Sequence, residues 1–336
     1  MKFRVYFLTL VTGLLAFIAS AAFAVQSTQT VETSKAKKEG LTAIAYLQHM
    51  QIAYKNLNYE ILYLNNLKNT VEPKQLIHGV IDQQEIAYFR YLNGAMRESL
   101  QYLGKISYFE QGSQAYTLQS TQSQSVFANI TNFDYDKGLA SYEYMILGKG
   151  RIAGKTAMAV RMISKDQYRY SYIIWIDIDS YLPLRLDTLN NENIILEQIM
   201  VVSLQVSEQI NPWLESLSHQ QLPELIHLPK PENLQASLWK VAWLPSGFKV
   251  VKNDQHKLVM YQNEPVSYIM LNDGIVSVSI YISATKTALD DKEQKIIQRG
   301  ATVLYTYQKN NVEINVIGEI PVATAKRLIE SISMAE

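Results

Sequence analysis

The stretch Arg169-Tyr170-Ser171-Tyr172-Ile173-Ile174-Trp175-Ile176-Asp177-Ile178-Asp179-Ser180-Tyr181-Leu182-Pro183-Leu184-Arg185-Leu186-Asp187 decides the fold class. From Tyr170 to Ile178 every even position is aromatic or apolar, while the odd ones read Ser171, Ile173, Trp175 and Asp177. This is the period of a strand with one buried and one mixed face. After a turn at Asp179-Ser180-Tyr181, Leu182, Leu184 and Leu186 share one parity, so a second strand returns antiparallel to the first. Pro183 falls among that strand's first residues, where a missing N–H is tolerated. A third strand, Ile194 to Val202, follows the turn Asn190-Asn191-Glu192-Asn193. Trp175 is expected to be substantially buried on the sheet, with truncation to Ala costing roughly 3 to 5 kcal/mol.

Upstream, strand patterns recur at Asn58 to Leu64, Gln75 to Ile81, Ile86 to Leu92, Glu98 to Leu103, Ile106 to Glu110, Tyr116 to Gln119, Tyr142 to Leu147 and Thr156 to Ser164. Asn93-Gly94 and Gly104-Lys105 mark turns between neighbours. The spacing leaves no room for crossover helices, which makes the sheet antiparallel. Before it, Ala43, Ile44, Leu47, Met50 and Tyr54 recur at helical steps between Leu41 and about Asn56. Gln124 to Leu139 is less regular and is expected to hold a short helix or a loop. Roughly ten strands with one helix against them imply a curved antiparallel sheet or incomplete barrel.

At 336 residues the chain has room for two domains. Lys plus Arg equals Asp plus Glu at 31 each, so no basic excess draws it onto nucleic acid. Lys2 and Arg4, the apolar run Val5 to Ala19 and the small-x-small site Ala22-Phe23-Ala24 form a secretory signal, residues 1–24, predicted to be cut between Ala24 and Val25. With no Cys there is neither a lipobox nor a disulfide. The mature chain is therefore expected to be exported and soluble. Residues 25–40 are a flexible polar lead-in and 41–212 the large β domain. Asn211 to Ser237 carries four of the nine prolines (Pro212, Pro223, Pro229, Pro231), which places a proline-rich linker at 213–235. The small α+β domain, 236–336, has strands at Val276 to Ile282, Thr302 to Gln308 and Val312 to Ile317. A C-terminal helix entered at Pro321 is predicted to bury Val322, Ala325, Ile329 and Ile332. Fold class is thus α+β and β-rich.

Catalytic chemistry is sparse. Gly148-Lys149-Gly150-Arg151-Ile152-Ala153-Gly154-Lys155-Thr156 ends like a phosphate loop, but its glycines have the wrong spacing and strands flank it, so it reads as a basic hairpin turn. His49, His78, His219, His227 and His256 show no metal-ligand spacing, and no metal is assigned. No nucleophile elbow precedes a helix. Asp177 and Asp179 sit two apart as a carboxylate pair might, although acids at strand ends commonly face solvent. Asn129-Ile130-Thr131 fits a glycosylation sequon and carries little weight. No catalytic residue or cofactor is assigned, and the chain is read as a non-enzyme.

Several segments nevertheless resemble one family in order along both domains. Asn58-Tyr59-Glu60, Ile106-Ser107-Tyr108-Phe109-Glu110, Arg169 to Trp175 and Leu182-Pro183-Leu184-Arg185 look like the large domain of the RseB/MucB sigma-E regulatory family. Trp243-Leu244-Pro245-Ser246-Gly247-Phe248, Asp273-Gly274, Ile317-Gly318-Glu319-Ile320-Pro321 and Thr324-Ala325-Lys326-Arg327 look like its small domain. The resemblance implies a half-open antiparallel β-barrel with packed helices, similar to lipoprotein carriers, plus the small α+β domain. It implies a periplasmic negative regulator of envelope stress in a Gram-negative bacterium. Such a regulator binds the periplasmic region of the anti-sigma factor RseA, shields it from the protease DegS and senses lipid or lipopolysaccharide, and a homodimer is an assembly it admits. The linker is expected to let the small domain swing when the cavity fills. A lipoprotein or lipid carrier is the other reading of the same concave sheet, and it leaves the small domain without a role.

Overall fold

Alternation along the chain resolves into a long antiparallel meander in a computed structural model that describes residues 40–67, 70–120, 126–227, 238–257, 265–285, 294–309 and 311–334. The large domain opens with helix α1 (Ala43–Asn56), then strands β1 (Asn58–Leu67), β2 (Thr70–Ile81), β3 (Gln84–Tyr91), β4 (Arg97–Tyr102), β5 (Lys105–Glu110) and β6 (Tyr116–Gln119). Two single-turn helices, α2 (Ala128–Thr131) and α3 (Tyr135–Gly138), lead to β7 (Tyr142–Ile152), β8 (Lys155–Ser164), β9 (Ser171–Asp177), β10 (Pro183–Leu189) and β11 (Ile195–Ser207). The eleven strands form one sheet in the order β6-β5-β4-β3-β2-β1-β11-β10-β9-β8-β7. Pairing of β1 with β11, from Asn58↔Ser207 to Leu67↔Glu197, joins the two meanders. The sheet does not close, so β6 and β7 are its edges. The incomplete barrel expected from the spacing is the fold observed.

The opening hairpin is β9 and β10. Tyr170, Tyr172, Ile174 and Ile176 are buried, as are Leu182, Leu184 and Leu186 from the returning strand. Its turn is fixed by Asp177, whose Oδ2 accepts from Ser180 Oγ at 2.6 Å and Ser180 N at 3.2 Å. Trp175 departs from expectation. It lies on the face opposite Ile174 and Ile176 and is half-buried there. Its ring rests on Gly150, where an added Cβ would lie 2.4 Å away, and the Arg185 guanidinium sits 5.9 Å from the ring. Trp175→Ala is accordingly expected to lower stability by about 1 to 2 kcal/mol rather than the core value. Denaturant titration against the parent checks this, and a loss above about 3 kcal/mol would place the indole in a packed core after all.

The concave face is filled from within. Leu47, Met50 and Tyr54 of α1 are buried in one cluster with Tyr59, Ile61 and Tyr63 of β1, Ile174 and Ile176 of β9, and Phe127 and Ile130 around α2. Thr42 caps α1 by accepting from Ala45 N at 3.2 Å. Gln51 Nε2 ties the helix to the short-helix segment, donating to Thr131 O at 3.0 Å and Phe133 O at 2.7 Å.

The convex face of β2 to β4 carries a second core, built from Ile77, Ile86, Tyr88 and Leu100. Helix α4 (Pro212–Ser218) covers it with a fully buried Leu214. Asn211 Oδ1 caps α4 by accepting from Trp213 N at 2.9 Å, and Pro212 occupies the first turn, where its missing N–H matters least. The first part of the stretch read as linker, 213–235, is thus a packed element, because Trp213, Leu214 and Leu222 supply apolar groups that the convex face needs. Residues 228–235 lie outside the described set.

The small domain comprises β12 (Trp239–Val241), β13 (Lys249–Lys257), β14 (Pro265–Asn272), β15 (Ser277–Ala284), β16 (Gln294–Arg299), β17 (Thr302–Lys309), β18 (Val312–Gly318), helix α5 (Val322–Glu330) and β19 (Ile332–Met334). Six strands form a sheet ordered β13-β14-β15-β18-β17-β16, and β12 pairs with β19. The helix buries Thr324, Ala325, Leu328 and Ile329. Val322 is only partly buried, and Ile332 belongs to β19 rather than to the helix, which stops at Ser331.

Candidate functional site

The two domains meet at a buried seam. Arg169, immediately before β9, is 2% exposed at its side chain and faces Asp273, also 2% exposed, with Nη1 to Oδ2 at 3.2 Å. Its Nε reaches Asp166 Oδ1 at 3.3 Å, and Nη2 donates to the Ser246 carbonyl. The guanidinium lies 5.4 Å from the Tyr142 ring and 5.5 Å from the Phe248 ring. A buried charge pair is tolerated only when further hydrogen bonds satisfy it, and here Asp166 and Ser246 supply them. Next to it, Tyr170 OH donates to Ile320 O at 2.9 Å and Thr324 Oγ1 to Tyr168 O at 2.9 Å. Arg327 stacks 4.1 Å from Trp243 and hydrogen-bonds the Tyr168 hydroxyl. Gly247, at φ 82, lets the small-domain loop approach, since a Cβ there would lie 2.9 Å from Ser141 Oγ.

A second contact lies at the β16–β17 turn. Gly300, at φ 58, is set against Leu67 and Glu197, and Arg299 Nη2 lies 3.4 Å from Glu72 Oε1. Burial holds the Glu319 carboxyl above the ordinary glutamate range, and the Glu197 charge adds to this. Glu197 is itself raised, chiefly by burial and against the pull of hydrogen bonds from Asn65 and the Ala301 N–H. Lys74 and Glu72 also act on Glu197, in opposite directions. A carboxyl raised in the folded state contributes stability that is present below its unfolded value near 4.5 and lost as pH climbs through the folded value. Glu319→Gln is therefore expected to gain on the parent as pH rises from about 4 to about 8. Denaturant titrations across that range test it; an offset constant with pH refutes it.

The other end of the half-barrel is open. The β9–β10 turn there, with the C-terminal half of α1, lines a cleft of about 720 Å³. Ile52, Ala53, Leu57, Tyr181 and Val206 give it apolar walls, with His49, Lys155 and Asp179 at the rim. The His49 and Tyr181 rings meet edge to face at 4.8 Å.

The residues singled out in the sequence distribute as follows. Ala24 and Val25, the predicted cleavage pair, lie outside the described residues. Asp177 is a fully buried turn cap and Asp179 is exposed, and both line this cleft. Gly148 to Thr156 is the β7–β8 hairpin, turning at Ala153 and Gly154. His78 is buried, its Nδ1 at 2.8 Å from Leu57 O and its ring stacked on Tyr59; His219 and His227 are exposed. Among the described residues no group of three His, Asp or Glu could hold a metal ion, and no helix is long and apolar enough to cross a membrane. Arg169 was legible only as the residue before a strand. A charge abutting an apolar strand, together with Asp273-Gly274 far downstream, was the available signal.

Of the segments that carried the resemblance, Arg169 to Trp175, Trp243 to Phe248, Asp273-Gly274, Ile317 to Pro321 and Thr324 to Arg327 meet at the seam. Residues 42–226 match the family model for the MucB/RseB N-terminal domain, and 233–333 match that for the MucB/RseB C-terminal domain. The chain is 32% identical over 288 residues, 86% of its own length and 89% of the relative's, to a Salmonella typhimurium protein named Sigma-E factor regulatory protein RseB. It is 25% identical over 207 residues, 60% of this chain and 64% of the relative, to Sigma factor AlgU regulatory protein MucB of Pseudomonas aeruginosa. A crystal structure of MucB in complex with MucA(peri) superposes with a TM-score of 0.69 at 21% identity, covering 88% of this chain and 99% of that one. MucB alone gives 0.56 at 20% identity, with 87% and 98% covered. With both domain models matched in order across most of its length, the chain belongs to the MucB/RseB family.

Proposed function

We propose that this chain is a periplasmic negative regulator of a sigma-E envelope-stress response. It binds the periplasmic region of its anti-sigma factor, the counterpart of RseA, shields it from cleavage by DegS, and releases it on binding lipid or lipopolysaccharide. The observation that carries this reading is the match to relatives named as sigma-factor regulatory proteins over both domains, one of them solved with a partner named MucA(peri). Their names describe regulators rather than enzymes. Export through a signal cut at Ala24 and Val25 belongs to the same reading, and N-terminal sequencing of the mature protein tests it.

The open cleft supports the lipid step. Each methylene taken from water there contributes roughly 0.8 kcal/mol, so two outweigh the 1.4 kcal/mol of a tenfold shift. Binding alone switches nothing; the lipid must favour the partner-free form. The test is affinity for the anti-sigma factor's periplasmic segment, with and without lipopolysaccharide, alongside protection of that segment from DegS. Affinity unchanged at saturating lipid removes the sensor role and leaves a passive shield. The same cleft favours a lipid carrier as the second reading, which predicts acyl-chain transfer and no capture of the anti-sigma factor. A homodimer is tested by mass measurement in solution.

A further inference from the structure

The large sheet treats its two edges differently. At β6 the chain covers its own edge: Thr117 N donates to Glu224 O and Ile226 N to Thr117 O, both at 2.8 Å, and Thr117 bridges Leu225 in parallel. At β7 nothing among the described residues pairs with the outer side, since β8 is its one neighbour in the sheet. That edge is 11 residues long and carries three consecutive exposed apolar side chains, Met145 at 44%, Ile146 at 38% and Leu147 at 48%. Free edges are normally blunted by charges, bulges or cover. A bulge at Ile146/Gly148 with exposed Lys149 and Arg151 blunts the second half of β7, and Glu143 precedes the apolar run. Leu147 is itself the bulged residue between Ile146 and Gly148, while Met145 and Ile146 before it have neither charge nor cover among the described residues. The small sheet's edges, β13 and β16, adjoin residues outside the described set and carry no comparable argument.

We propose that β7 accepts a segment of the partner protein as a twelfth strand of the large sheet. Strand addition takes its affinity from main-chain hydrogen bonds and its selectivity from the side chains alongside. The segment is extended, with apolar residues beside Met145, Ile146 and Leu147 and acidic residues beside Lys149 and Arg151, where opposite charges set register and orientation. The covering of β6 by residues 224–226 is the same device within one chain. The identity of the partner rests on the proposed function: the strand comes from the periplasmic segment of the anti-sigma factor.

The experiment uses the full chain and that segment. In the wild-type complex, backbone amides from 143 to 151 are expected to exchange with solvent at least tenfold more slowly than in the free protein. A Met145→Lys/Leu147→Lys variant, its fold checked by circular dichroism and thermal melting, is expected to bind at least tenfold more weakly. Lys149→Glu/Arg151→Glu is expected to weaken binding and to flatten its salt dependence. Unchanged exchange along β7 in a complex that forms overturns the edge assignment and leaves the proposed function standing, as does binding by the lysine variant within twofold of the parent. Failure of the wild-type chain to bind the segment overturns both.

Discussion

Arg169→Met is expected to destabilise the folded chain by about 3 to 5 kcal/mol, the range for removing one partner of a buried ion pair. The reason lies in what remains. Asp273 is 2% exposed at its side chain and would be left without its cation. Its Oδ1 still accepts from Ile275 N at 3.0 Å and Val276 N at 2.8 Å, but two amide dipoles do not replace a full charge. Asp166, 24% exposed, can turn to water instead. The Ser246 carbonyl loses its guanidinium donor as well. Restoring neutrality in the double variant Arg169→Met/Asp273→Leu is expected to recover most of the loss, because an apolar pair of similar volume removes the desolvation penalty along with the attraction. Denaturant titration of the parent and of the single and double variants measures the coupling directly. A single-variant loss below about 1 kcal/mol would show that the seam is wet and the pair screened.

The same pair bears on how the domains can move. A swing about the proline-rich stretch was the expectation from sequence. The seam places a buried charge pair, the Tyr170 to Ile320 hydrogen bond and the Trp243 and Arg327 stack in its way. The apolar core also runs across without interruption, since Phe248 and Ile320 belong to the same cluster as Tyr142 and Tyr172. Release of a partner through domain motion therefore requires these contacts to exchange as a set, which makes any such transition two-state rather than gradual.

Local periodicity made the clearest strands legible, because each repeats a two-residue rule over five or more positions. The β9–β10 hairpin and β1 follow it, whereas β6 spans only four residues and β2 is buried at six consecutive positions, 74 to 79. Three features escaped because their causes are not local. Trp175 shares a strand with buried neighbours, and its ring lies across the sheet over Gly150 of β7, two strands away, a contact that no pattern within β9 reveals. Pro212 and Pro223 look like linker punctuation, yet Pro212 opens a capped helix and the Pro223 carbonyl accepts from Thr117 Oγ1 at 2.9 Å. The seam joins Arg169 to Asp273 across a hundred residues, a pairing that no window of sequence contains. The resemblance quoted the right residues without saying that they touch.

The convex-face helix gives the second large effect. Leu214→Ala is expected to lower stability by about 2 to 5 kcal/mol, the range for emptying a leucine site that cannot collapse. Leu214 has no exposed surface and plugs the space between Ile77, Ile86, Tyr88 and Leu100, all held on rigid strands. Trp213 beside it is 43% exposed, with its ring edge to face on Tyr88 at 4.6 Å, so Trp213→Ala should cost less than Leu214→Ala. That ordering, smaller residue mattering more, separates a packed helix from a tether lying loosely on the surface. In a tether both substitutions would fall within about 0.5 kcal/mol of the parent. The consequence reaches chain cutting. A large-domain fragment ending at 212 would expose the apolar face that α4 covers, whereas one ending after Ile226 keeps both the helix and the segment that bridges the β6 edge at Thr117. The longer fragment is expected to unfold cooperatively and the shorter one to aggregate or melt earlier; equal midpoints in urea for the two would show that α4 contributes nothing to the large domain.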